Sequence, residues 1–96
     1  MKEIRFHPAA RRELLRAAAW YLQRSENAAA GFEAEIDHAV QRIGEAPERY
    51  AITKTGRRRF VLLKYPFNVI YRIFEEHIEI VAVAHNARRP GYWSGR

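Results

Sequence analysis

After a short alternating stretch at its start, the chain changes periodicity once, and it changes where the charge changes. Up to about Ala46, apolar residues recur at helical spacing; from Phe60 they gather in β-branched runs with strand spacing. Residues 1–52 carry 8 Lys and Arg against 8 Asp and Glu, and residues 53–96 carry 9 against 3, so the net charge of +6 belongs wholly to the strand-forming part. A neutral helical layer supporting a basic sheet is expected, with function on the sheet. A basic face of this kind suits a polyanion, either nucleic acid or an acidic protein segment; a solvated face kept for solubility is the plainer alternative.

Length and composition bound the rest. Ninety-six residues suit a single domain, 1–96, and an apolar fraction of 48% with 12% aromatics argues for a packed core rather than disorder. With no cysteine, neither a disulfide nor a thiolate metal site is available. The start of the chain lacks the apolar h-region of a signal peptide and no run is long enough to span a bilayer, so a cytoplasmic protein without a membrane partner is expected.

In chain order, Lys2 to Phe6 alternate as a half-buried strand, with Ile4 and Phe6 on one side. Pro8 suits the first position of a helix. Ala10, Leu14, Ala18, Tyr21 and Leu22 form one stripe on it, with Leu15 at the edge. Trp20 lies opposite, beside Glu13, Ala17 and Arg24; it serves either to cover the end of the helix pair or to anchor a partner. Asn27 is a fair N-cap for a second helix to about Ala46, ended by Pro47. Ala29, Phe32, Ile36, Ala39, Val40 and Ile43 share its inner face, and His38 lies on the polar side. The short turn predicts an antiparallel helical hairpin.

Glu48 to Gly56 is polar and aperiodic, a connection. Arg57, Arg58 and Arg59 lead into the strand-like FVLLKY, Pro66 interrupts, and two further strands flank Glu75-Glu76. Taking that pair as a two-residue loop sets Ile73 opposite Ile78, Arg72 opposite Glu79, Tyr71 opposite Ile80, Ile70 opposite Val81 and Val69 opposite Ala82. One face is then Val69, Tyr71, Ile73, Ile78, Ile80 and Ala82, where the helices pack. The other carries Asn68, Ile70, Arg72, Glu79, Val81, Val83 and His85, where binding is expected; Arg72 and Glu79 there form a plain cross-strand ion pair or also meet a partner. The fold class is α+β, with order β-α-α-β-β-β.

No Gly-rich phosphate loop, HExxH, GxSxG or metal-spaced histidine pair occurs, and no cofactor is called for. What remains is a metal-free set within the basic part: Arg57, Arg58, Arg59, Arg72, His85, Arg88, Arg89 and Tyr92. Cleaving RNA without metal requires a base for the 2′-hydroxyl, cations at phosphorus and an acid for the leaving oxygen. His85 can be base or acid and the arginines can hold phosphate, yet the same residues suit a protein that only binds. Tyr92 and Trp93 either stack on bases or close the open end of the sheet.

Four segments, ELLRAAAWYLQR, FEAEIDHAVQRI before Pro47, FNVIYRI, and IVAVAHNARRPGYW, resemble in order and spacing the RelE/ParE superfamily of type II toxin–antitoxin toxins. The resemblance runs from Ile4 to Trp93. It implies a strand, an antiparallel helical hairpin and a curved three-stranded antiparallel meander, and a growth-inhibiting toxin, of the kind linked to plasmid stabilisation, forming a hetero-oligomer with its cognate antitoxin. RelE-like members cut mRNA on the ribosome and usually carry arginine before Leu-Val-Tyr of the third strand, where this chain has Asn68. ParE-like members poison DNA gyrase and are similar to Tyr71-Arg72 and Ala84-His85. The resemblance therefore implies the ParE-like branch, not an enzyme, with Arg57, Arg58, Arg59, Arg72, Arg88, Arg89, Trp93 and Trp20 meeting partners. Under the ribonuclease alternative His85, Arg72, Arg59, Arg88 and Tyr92 would be catalytic. A non-toxic module binding RNA or protein is the third class.

Overall fold

In the computed structural model, which describes residues 1–96, the element order is β1 (Glu3–Phe6), α1 (Pro8–Leu22), α2 (Glu26–Glu45), a short 3-10 turn (Pro47–Arg49), β2 (Arg58–Val61), β3 (Phe67–Ile73) and β4 (His77–His85). The α+β class and the β-α-α-β-β-β order are as expected. The sheet runs β1-β4-β3-β2: the last three strands form the antiparallel meander, and β1 returns to pair parallel with β4, Glu3 to Phe6 against His77 to Ile80.

Local chemistry starts each helix. Pro8 occupies the first helical position, and the Nδ1 of His7 accepts a hydrogen bond from the Ala9 N–H at 3.0 Å. For α2 the cap is Ser25, not Asn27: the extended Ser25 accepts from the Ala28 N–H through its Oγ at 3.2 Å, and Glu26 sits in the first turn. Starting two residues earlier places a hydroxyl cap and an acidic group at the positive end of the helix.

Both helices cover one face of the sheet. Phe32, Ile36, Ala39 and Ile43 of α2 and Ala10 and Ala17 of α1 are buried against Val69, Tyr71, Ile78 and Ile80. Ala17 was expected outside the stripe and Leu22 within it; instead Ala17 is buried, because α1 packs on β4, and Leu22 is 58% exposed. Tyr71, fully buried, donates to the Pro47 carbonyl at 2.6 Å, and desolvation pushes its phenol up to about 12. That bond moors the end of α2 to the centre of the sheet.

The hairpin register holds only as far as Tyr71. Ile73 faces Ile78, Arg72 faces Glu79 and Tyr71 faces Ile80, but Ile70 then faces Ala82 and Val69 faces Val83, so Val81 is the extra residue of a β-bulge. Val83 therefore joins the helix-facing core, while Ala82 turns outward with Ile70, Val81 and Ala84. His85 follows Val83 to the helix side and meets Phe67 edge-on, ring centroids 5.0 Å apart. The cause is visible in Ile80-Val81-Ala82-Val83-Ala84: a run apolar at every position lacks the alternation that pins a register. The same run leaves the outer face apolar, and Trp93, 5% exposed, folds back from the C-terminal segment to cover it.

Candidate functional site

Where α1 crosses β4, one carboxylate organises the surrounding groups. β1 ends at Phe6 opposite Ile80, so the edge of β4 beyond that point has no strand beside it. Glu13 fills the gap. Its Oε1 accepts from the Val83 N–H at 3.0 Å and from Arg96 at 2.9 Å; its Oε2 accepts from the Tyr92 hydroxyl at 2.7 Å, from Arg96 at 3.0 Å and from Arg88 at 3.2 Å. Arg96 also donates to the Val81 carbonyl at 3.0 Å. Together these block an edge that would otherwise invite pairing with another chain.

Burial alone would raise the Glu13 carboxyl. The hydrogen bonds from Arg96, Tyr92 and the Val83 N–H, with the charge of Arg96, outweigh it and hold the group below the usual carboxylate range. The same bond acts oppositely on its partner: burial, then donation to Glu13, holds the Tyr92 phenol far above its ordinary range. Tyr92 is thus fixed as a donor.

The candidate residues from the sequence separate into distinct places. Arg57 donates to the Thr55, Ser94 and Arg96 carbonyls, and Arg58 to those of Glu48 and Tyr50, so both fasten loops to the sheet. Arg72 pairs with Glu79 at 2.7 Å on the outer face, the cross-strand ion pair expected of the register, and its guanidinium lies 5.2 Å from the Phe74 ring centre. Arg59 is exposed on that outer face, where with Lys54 and Pro90 it borders a groove of about 520 Å³ beside Trp93. Arg89 is exposed in the segment after β4. Trp93 itself is buried, so of the two uses foreseen it takes the one of closing the sheet.

The five residues weighed for RNA cleavage divide between the two sides of the sheet: His85 and Arg88 border one cavity with Tyr92 close by on Glu13, and Arg59 and Arg72 lie away from them. Arg59 and Arg72 are on the outer face, and His85 is on the helix side. The His85 Nδ1 accepts the Ala87 N–H at 3.0 Å, leaving Nε2 as the free nitrogen. Arg88 and Tyr92 converge on Glu13, with the Arg88 guanidinium 3.6 Å from the Tyr92 ring centre.

A second cavity, about 420 Å³, opens between α1 and the end of β4 next to this cluster. Trp20 stands at its rim, 51% exposed, with Arg24 stacked 3.5 Å from its ring centre and donating to the Trp20 carbonyl. Sequence reasoning missed Glu13 and Arg96. The available signal was Glu13 as the lone acidic residue in a helix bearing Arg11, Arg12 and Arg16.

A family model described as the ParE toxin of the type II toxin–antitoxin system parDE matches residues 4–90. The chain belongs to the ParE toxin family. The match spans both helices and all four strands of this ParE-family chain and stops just beyond Arg89. Among solved structures, it is similar to a chain of the chromosomal ParDE toxin–antitoxin system from P. aeruginosa. The TM-score is 0.76 at 19% identity, covering 88% of this chain and 96% of that one, a likeness of fold. Among curated proteins, no sequence matches. No helix of this ParE-family chain is long and apolar enough to cross a membrane.

Proposed function

We propose that this chain arrests growth by binding and poisoning DNA gyrase, without being a catalyst itself, and that a cognate antitoxin keeps it silent. The observation that carries this reading is the condition of the groups that would move protons in a nuclease. Tyr92 is committed to Glu13 with its phenol far above the neutral range, Arg88 beside His85 is paired to the same carboxylate, and Arg59 and Arg72 lie on the opposite side of the sheet from His85. A base and the cations meant to steady a phosphate need to sit within hydrogen-bond reach of one substrate. Membership of the ParE family supports the same reading. The exposed Arg59 and Lys54 beside the outer groove, together with the exposed Arg89, supply the surface for the target, since unspent cations steer association with an acidic partner. Residence in the cytoplasm follows from such a target.

Purified gyrase, supercoiled plasmid and rising amounts of the toxin test this. Cleaved or incompletely supercoiled DNA is expected at modest excess, and gyrase activity unchanged at high excess would refute the proposal. His85→Ala should leave that inhibition intact. Loss of toxicity in His85→Ala, with the fold preserved, would transfer the function to RNA cleavage.

A further inference from the structure

The cavity between α1 and the end of β4 is built unlike the rest of the basic surface, and its construction names an occupant. Its floor is apolar: Ala17, Tyr21, Phe67 and Val83 line it. Its rim carries two arginines, Arg16 and Arg88, with His85 beside them. The single carboxylate in its wall, Glu13, has both oxygens engaged by Arg96, Arg88, Tyr92 and the Val83 N–H. It therefore offers no acceptor to an incoming cation. Arg16 is exposed, the Arg88 side chain remains 51% exposed despite its contact with Glu13, and the free nitrogen of His85 is Nε2.

We infer that this pocket receives one bulky aliphatic side chain of an acidic peptide segment, with flanking carboxylates of that segment paired to Arg16 and Arg88 and within reach of the His85 Nε2 as a hydrogen-bond donor. The volume, about 420 Å³, is ample for a leucine-sized anchor. An apolar floor ringed by charge is the arrangement in which a central anchor carries affinity and the rim sets orientation and rate. A nucleobase fits less well. Stacking needs an open aromatic face, whereas Trp20 has Arg24 on its ring at 3.5 Å and meets Tyr21 edge-on, and Tyr21 meets Tyr65 edge-on in turn. The segment is assigned to the antitoxin; the inference thus rests on an antitoxin being bound and is independent of gyrase being the target.

The test titrates the purified antitoxin encoded with this chain into the intact toxin and follows tryptophan emission. The chain has two tryptophans; Trp93 is buried and Trp20 half-exposed, so the signal reports Trp20. Binding should shift emission to shorter wavelength, and Trp20→Phe should abolish the shift while keeping the fold by circular dichroism. Arg16→Glu, at an exposed position, should weaken binding at least tenfold, and Arg16→Lys should restore most of it. Wild-type affinity should fall with added salt. A complex equally tight in wild type and Arg16→Glu, or one that leaves Trp20 emission unmoved, would overturn the pocket assignment while the antitoxin reading stands. No complex at all would overturn both. A shift produced by a single-stranded 12-mer oligonucleotide and not by antitoxin would give the pocket to nucleic acid instead.

Discussion

Glu13 is where a single side chain has the widest consequences. Its carboxylate, 9% exposed, closes the edge of β4 and ties the C-terminal segment to α1 through Tyr92, Arg88 and Arg96. Glu13→Ala should destabilise by about 3 kcal/mol in urea unfolding, the low end for breaking a buried pair because Arg96 keeps some contact with water. Because folding lowers the pKa of Glu13, its stabilisation is fully present above about pH 4.5 and is lost as the pH falls from there through the folded value. The gap between wild type and Glu13→Gln should therefore be widest near neutrality and narrow below pH 4.5. A gap independent of pH would show that the carboxylate charge is not what holds the cluster. Tyr92 complements this from the other side, since its phenol stays protonated well past the ordinary tyrosine range.

At the scale of elements, the sequence was legible wherever a pattern was one-sided. The inner face of α2, the break at Pro47, the pairing of Arg72 with Glu79 and the alternation of Ile4 and Phe6 follow from spacing alone. Legibility fails where both faces are apolar. Nothing in Val81-Ala82-Val83-Ala84 marks Val81 as the bulge, yet that residue decides that Val83 and His85 turn to the helices and that Trp93 is needed on the outer face. The cluster around Glu13 was hidden for a different reason: its members are spread from α1 to the last residue of the described chain, and no periodicity links them. Caps were half-legible, since Ser25 and Asn27 are both good N-cap types. Ser25→Ala should cost about 1 kcal/mol, whereas Asn27→Ala should stay within about 0.5 kcal/mol. The reverse order of effects in urea unfolding would place the cap at Asn27.

For the molecule as a whole, the charge split seen in sequence becomes a division of labour. Several arginines of the basic part are spent on the fold: Arg57 and Arg58 on loops, Arg72 on Glu79, Arg96 on Glu13. Arg59 stays exposed on the outer side and Arg89 in the segment after β4, while Arg16 and Arg88 border the pocket on the helix side. Two separate surfaces suit a toxin with both a target and a neutralising partner. Double reversal, Arg59→Glu with Arg89→Glu, should weaken action on the target by tenfold or more and leave the antitoxin complex formed, as co-purification would show. Poisoning of gyrase is tested most directly by the topology of a reporter plasmid recovered minutes after this chain is induced without antitoxin, beside a growth curve. Linear or relaxed plasmid together with arrest is the predicted result. Arrest with fully supercoiled plasmid and cleaved mRNA would contradict it.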